Sequence, residues 1–491
     1  MRFVAALVSL LALFCVPLVS VAAARAVQRY QPYFPAAALP LLTRDHAANA
    51  TLTPVPTVDR VVYHDGPVMQ DYHAYTIFWA PAPHTIDVTY EALINRWFDD
   101  VSGTSLLNIA TQYFQFSPPQ LPFANVASAS HLSGTWVDTT NAYPHAGTPA
   151  DPLVDDDIQA EVQRAITHNG WPAGGNDVEY FVYTASGVES CFSSAKQSCT
   201  PGVPGVPASQ QYLAYHSFFG GAPPLIYGNM PYAASWVSLT NFTSPNAAPE
   251  ADLEIVVTSH EQFESMTDPT IDAWFSDSDG EEIADKCASL GVATVTLNGN
   301  PYVVQGEWSN SQGECALGLL CSTQPRAGCK TTTQPRASVL QLKASPVSTR
   351  DSFTWKWGKG TATSLADFGD PTTSTSYGVC VYDETDSHPI LVMDVATSSG
   401  SGWSKTSTGF KYKNKAPTGN QPQQMTLRTT AAGKATITVT GKGDLLPIPE
   451  LPLEQTPKVI VQLQNTAGVC WEADYSLATK NTSAQFKAKS D

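Results

Sequence analysis

A mixed α/β region followed by an all-β sandwich, α+β overall, is the architecture this sequence predicts, and three observations carry it. Residues 61–267 mix buried-type strand runs with helical apolar periods, whereas residues beyond 338 show only short alternating runs separated by Gly, Pro, Asp and Thr. Charge divides the chain at about the same place. Residues 27–330 hold 9 Lys/Arg against 31 Asp/Glu, and residues 331–491 hold 16 against 13. Between the two lies a cysteine-bearing linker, 321–337, which places the domains at 59–320 and 338–491.

The first residues read as an export signal. Arg2 precedes an apolar run over 3–21, and Ala22-Ala23-Ala24-Arg25-Ala26 supplies a small-residue cleavage site, so residues 1–26 form a signal peptide. Residues 27–58, rich in Pro and Ala and without period, are a leader or linker that would also fit a propeptide. No later stretch is long and apolar enough to span a bilayer. The expected location is therefore secreted, extracellular or periplasmic.

Cysteine use agrees with export. Of nine cysteines Cys15 lies in the signal, leaving Cys191, Cys199, Cys287, Cys315, Cys321, Cys329, Cys380 and Cys470. No C-x-x-C spacing suggests a thiolate zinc site, so disulfides are expected. Proximity along the chain suggests pairs 191–199, 287–315, 321–329 and 380–470. The acidic first half supplies no basic surface for nucleic acid, which is excluded as a partner.

Along the chain, Val61-Val62-Tyr63, a turn at 64–67 and residues 75–79 read as strand, turn, strand. Leu93, Ile94 and Trp97 give the stripe of a helix starting near Thr89. Residues 155–166 form a second helix, with Asp155, Asp156 and Asp157 suited to its N-terminus. Residues 178–183 are a buried strand, and 201–225 are loop-rich. Strands are expected over 339–342, 377–382, 390–395, 425–427, 435–440 and 459–463. Trp355, Trp357 and Trp403 fit core packing better than a sugar-binding platform.

One segment carries chemistry. Residues 251–267 have a helical apolar face of Leu253, Val256 and Val257 that also bears His260 and Glu264, and Pro269 should end the helix near Asp268. His260-Glu261-x-x-Glu264 is a variant of H-E-x-x-H, in which side chains four apart converge on one metal while the intervening glutamate works on water. A carboxylate at the fourth position keeps a donor there. His260 and Glu264 are thus the candidate ligands, Glu261 the candidate general base, and Asp268, Glu282 or Asp285 the candidate third ligand. Zinc is the expected ion, with calcium as the alternative. The motif makes the 59–320 domain zincin-like. Tyr215-His216-Ser217 offers another histidine, which reads better as a packed one.

Several segments carry a resemblance. Tyr63-His-Asp-Gly-Pro-Val-Met69, Gly134-Thr-Trp-Val-Asp, Ser259-His-Glu-x-x-Glu-x-x-Thr-Asp-Pro269, Ala273-Trp274, Glu282-Ile-Ala-Asp-Lys-Cys287 and Glu307-Trp-Ser-Asn310 resemble the microbial branch of the phosphate-induced, exordium-like secreted proteins, over about residues 60–320. The resemblance implies an extracellular protein without a settled activity. Phe368-Gly-Asp-Pro371, Cys380-Val-Tyr-Asp383 and Cys470-Trp471 resemble a bacterial domain of unknown function, which implies no activity. The sequence thus leads to a secreted metal-dependent hydrolase, a metallopeptidase-like enzyme acting on peptide bonds. The alternative is a non-catalytic extracellular protein that binds a protein or cell-wall polymer, with a structural metal or none.

Overall fold

In the computed structural model, which describes residues 60–233, 243–429 and 434–491, the first region is built on a five-stranded sheet. The signal peptide and leader expected over 1–58 lie outside the described residues. The elements are β1 (Tyr72–Trp79), α1 (Val88–Asp100), β2 (Ser130–Asp138), α2 (Asp155–Asn169), β3 (Val178–Thr184), β4 (Tyr215–Gly220), β5 (Pro224–Met230) and α3 (Pro249–Thr267). Strand order is β2-β1-β3-β5-β4, all neighbours parallel except β4, which runs antiparallel to β5 at the edge.

The sheet is covered on both faces, and the period of two along its strands decides which side chain goes where. Tyr72, Ala74 and Phe78 of β1, with Phe181 and Tyr183 of β3, join the core that holds Leu93, Ile94 and Trp97 of α1 and Leu253 and Val256 of α3. Tyr75, Ile77 and Trp79, with Tyr180 and Val182, face Ile158, Val162 and Ala165 of α2. Helix α1 starts where expected, because the Asp87 carboxylate accepts from the Thr89 amide at 2.7 Å. Helix α2 begins with the three aspartates and ends at Gly170, whose φ of 66° is the left-handed conformation that glycine adopts freely.

Two expectations need correction. The strand, turn, strand read over 61–79 is present as Val62–Tyr63 and Tyr72–Trp79, but the first strand pairs with Trp274–Phe275, just past α3, and not with the second. The 201–225 stretch is not loop throughout, because β4 lies within it.

Past α3, hairpin strands β6 (Val292–Leu297) and β7 (Asn300–Gln305) are followed by β8 (Glu307–Ser309) and β9 (Glu314–Ala316), which pair with each other. The second region is antiparallel throughout its described strands. One sheet of eight runs Trp403–Thr406, Gly409–Lys413, Gln424–Arg428, Ala435–Lys442, Ser352–Gly360, Ser338–Lys343, Gln485–Lys489, Ala478–Thr482. One of four runs His388–Thr397, Tyr377–Thr385, Val459–Asn465, Cys470–Tyr475. Leu340, Trp355, Trp357 and Ile437 from the larger sheet share one core with Val379, Val461 and Trp471 from the smaller, and the tryptophans are core residues as expected. The first region's core continues into Tyr382, Leu391 and Ile460 of the second.

Four disulfides form, two as expected, at Cys191–Cys199 and Cys287–Cys315. The other two exchange partners: Cys321 bonds Cys380 and Cys329 bonds Cys470. The expected Cys380–Cys470 bridge is ruled out by sheet order. Their strands flank Val459–Asn465 on opposite sides, two strand spacings or about 9.5 Å apart, beyond the reach of a disulfide. Both observed bridges therefore tie the linker to the smaller sheet. Four bridges are the chemistry of an oxidising, extracytoplasmic compartment. Among the described residues no helix is long and apolar enough to cross a membrane.

Candidate metal centre

Helix α3 is buried around its whole circumference, from Ala251 to Thr267, rather than along the single stripe its apolar spacing predicts. A helix enclosed on every side is ordinarily apolar. This one carries Glu254, Thr258, Ser259, His260, Glu261, Gln262, Glu264, Ser265 and Thr267 inside the protein, so each polar group needs a partner. Some find structural ones. Gln262 accepts from the Trp97 indole at 2.7 Å, and Ser265 donates to Glu179 on β3 at 2.6 Å. Tyr72 donates to the other Glu179 oxygen at 2.6 Å.

His260, Glu261 and Glu264 converge on other acidic and histidine side chains. His260 Nε2 lies 3.2 Å from Glu264 Oε1 and 3.5 Å from Asp285 Oδ1. Asp285 opens a short 3-10 helix, Asp285–Leu290, and its backbone amide donates to Glu264 Oε1 at 3.0 Å. The Cys287–Cys315 bridge anchors that segment to β9. From edge strand β4, His216 places Nδ1 3.3 Å from Glu261 Oε2 and 3.7 Å from Glu264 Oε2, with its Nε2 3.9 Å from Glu282 Oε1. Two groups of donor atoms result, each gathered within 4.8 Å: His260, Glu264 and Asp285, and His216, Glu261 and Glu264.

The electrostatics describe a centre short of positive charge. Burial alone would lower His260, but Glu264, Asp285 and Glu261 outweigh it and hold the imidazole well above its ordinary pKa. His216 behaves alike, raised against the effect of burial by Glu282, Glu261 and Glu264. Burial, and then Asp285, push Glu264 up to about 7. Burial also raises Glu282 and Glu307 well above the carboxylate range, and Glu179 to about 8.

The donor atoms suit a divalent cation. His216 Nε2, Glu261 Oε1, Glu282 Oε1, Asp285 Oδ1 and Glu307 Oε2 are buried without a hydrogen-bond partner, a cost that an ion among them would offset. The edge of a tetrahedron with metal–donor arms of 2.0–2.2 Å is about 3.4 Å. The separations of 3.2 and 3.5 Å around His260 Nε2 match that edge. These buried His and Glu groups can hold a metal ion.

Among the sequence-predicted residues, His260, Glu264 and Asp285 come together, and Glu261 faces His216 instead. Glu282 belongs to the His216 side. Asp268 serves the backbone instead. Its Oδ1 accepts the amides of Asp272 and Ala273, both at 2.6 Å, which closes the turn after α3, and it joins neither donor group. Three residues were not expected in the site. His216 arrives on an edge strand within a stretch whose composition reads as loop, Glu307 lies on β8, and Gln305 ends β7. In the sequence His216 offers another histidine but reads as a packed one, and Glu307 carries a signal as part of the Glu-Trp-Ser-Asn segment of the family resemblance.

No protein-family model matches the chain, and no curated protein does. Among solved structures, wild-type OgpA from Akkermansia muciniphila aligns over 87% of this chain and 96% of its own at 9% identity, with a TM-score of 0.20. A likeness that slight carries no argument about fold or activity.

Proposed function

We propose that this protein is a secreted, zincin-like metal-dependent hydrolase of peptide bonds, related to the microbial exordium-like proteins. The observation that carries the reading is the convergence of His260 Nε2, Glu264 Oε1 and Asp285 Oδ1 at tetrahedral-edge separations on a buried H-E-x-x-E helix. These three residues would hold the ion. One imidazole and two carboxylates suit zinc or manganese better than calcium, which prefers more oxygen donors. The bound ion would polarise a scissile carbonyl and acidify an attacking water.

The chain's own residues do the rest. Glu261, next to His260 on α3, takes the water's proton and returns it to the leaving amine. Its Oε1 has no hydrogen-bond partner and is free for that proton, while Oε2 is held by His216. Asp285 and Glu282, with side chains 9% and 13% exposed, form the rim of the cluster, and His260 its floor at 0%. The competing reading, a non-catalytic extracellular binder with a structural ion, draws on that depth. Metal analysis of the purified mature protein, with a broad peptide-cleavage screen of wild type and Glu261→Gln, tests the proposal. A metal-free wild type, or equal cleavage by both, rejects it.

A further inference from the structure

The Glu264 carboxylate is used twice. Its Oε1 faces His260 at 3.2 Å and its Oε2 faces His216 at 3.7 Å, so the two donor groups are halves of one centre joined through one side chain. A single ion at His260 leaves the other half unexplained. On that side the donor atoms of His216, Glu261 and Glu264 lie within 4.8 Å of one another, and their side chains are 4%, 2% and 4% exposed. One ion also leaves the Glu261, Glu264 and Glu282 carboxylates gathered around a lone imidazole, at 3.3, 3.7 and 3.9 Å from His216.

We propose that the chain holds two divalent cations side by side, one between His260, Glu264 and Asp285 and one between His216, Glu261 and Glu264, with the Glu264 carboxylate bridging them. The proposal rests on the metal-dependent reading above and adds a second ion to it. Each position offers one imidazole and two carboxylates, a donor set for zinc, manganese or iron and a poor one for calcium or magnesium. A carboxylate with one oxygen on each ion fits the separation of about 3.5–4 Å found in two-metal sites. His216 would bind through the lone pair of Nδ1. Glu261 then gives Oε2 to the second ion and keeps Oε1 for the water. A residue 44 positions before His260 reaches α3 through edge strand β4, which pairs antiparallel with β5 and presents His216 to Glu261 and Glu264.

The test is stoichiometry on the full mature protein, stripped with chelator and reloaded with Mn2+ or Zn2+. Wild type should take up two equivalents by elemental analysis, and the second Mn2+ should broaden the six-line resonance of the first through magnetic coupling. His216→Gln should bind one equivalent, with an uncoupled six-line spectrum. One equivalent in wild type, or two uncoupled ones, overturns the bridged pair and leaves the single-ion hydrolase standing; His216 then acts as a buried imidazolium. No metal in wild type removes both readings. Two coupled equivalents retained by His216→Gln would place the second ion elsewhere. Should His216→Gln fail to fold, the wild-type stoichiometry and line shape decide alone.

Discussion

Gln305 accepts the Nδ1–H of His260 through its Oε1 at 3.2 Å, while its own Nε2 donates to the Ala284 carbonyl at 2.8 Å. The second bond fixes which way the amide points, and an amide oxygen can only accept. In the neutral ring the proton is thereby held on Nδ1, and Nε2 turns a lone pair toward Glu264 and Asp285. Ligating histidines are commonly oriented by such a partner, whose loss costs on the order of 10–100-fold in metal affinity. Gln305→Leu should weaken cation binding by about that factor, measured by chelator competition. Unchanged affinity would show that the ring needs no such support.

His260→Ala should remove the ion from the His260 position and, with it, any cleavage. Glu261→Gln should keep that ion, because His260, Glu264 and Asp285 are untouched, and lose roughly a hundredfold or more in kcat. Elemental analysis and single-turnover kinetics on the same preparations separate the two effects. A Glu261→Gln protein as active as wild type would end the general-base assignment.

Glu254, one face away from the centre on α3, is wholly buried beside Tyr90, and burial raises its carboxyl to about 8 from an ordinary 4.5. A folded-state pKa above the unfolded one means that the native protein holds the proton more tightly. Its contribution to stability is complete below about 4.5 and is lost as pH climbs through about 8. Glu254→Gln mimics the protonated form. Its Tm should equal that of wild type near pH 5 and exceed it at pH 9. Equal values at both would mean that the carboxyl is not buried as described.

Peptide mapping under non-reducing conditions should recover Cys321–Cys380 and Cys329–Cys470 as cross-linked pairs. Each closes a long loop, and removal of either should cost about 2–5 kcal/mol. Recovery of a 321–329 peptide would show that the linker closes on itself and is not stapled to the smaller sheet.

Much of the fold was legible because local rules were decisive. The helices expected from near Thr89 and from Asp155 begin at Val88 and Asp155, and the helix expected to end near Asp268 ahead of Pro269 ends at Thr267. The strands expected at 339–342, 377–382, 390–395, 425–427, 435–440 and 459–463 all form, since strand pattern and turn residues act within a few positions, but others such as Ser352–Gly360 and Gln485–Lys489 lie outside those expectations. Edge strand β4 was not legible, because its sequence, Tyr-His-Ser-Phe-Phe-Gly, lies among Gly- and Pro-rich neighbours and gains its hydrogen bonds only from β5.

The sequence by itself determined the helix that presents His260, Glu261 and Glu264, because spacing along a helix fixes direction to within one turn. It also determined the export chemistry of paired cysteines. Tertiary structure alone decided that α3 is enclosed on all sides, that Asp285 and not Asp268 faces His260, and that His216 stands opposite Glu261. It also decided which cysteines meet. Those are contacts between residues far apart in the chain, set by strand order and by which faces pack, and neither composition nor periodicity encodes the distance between two such side chains.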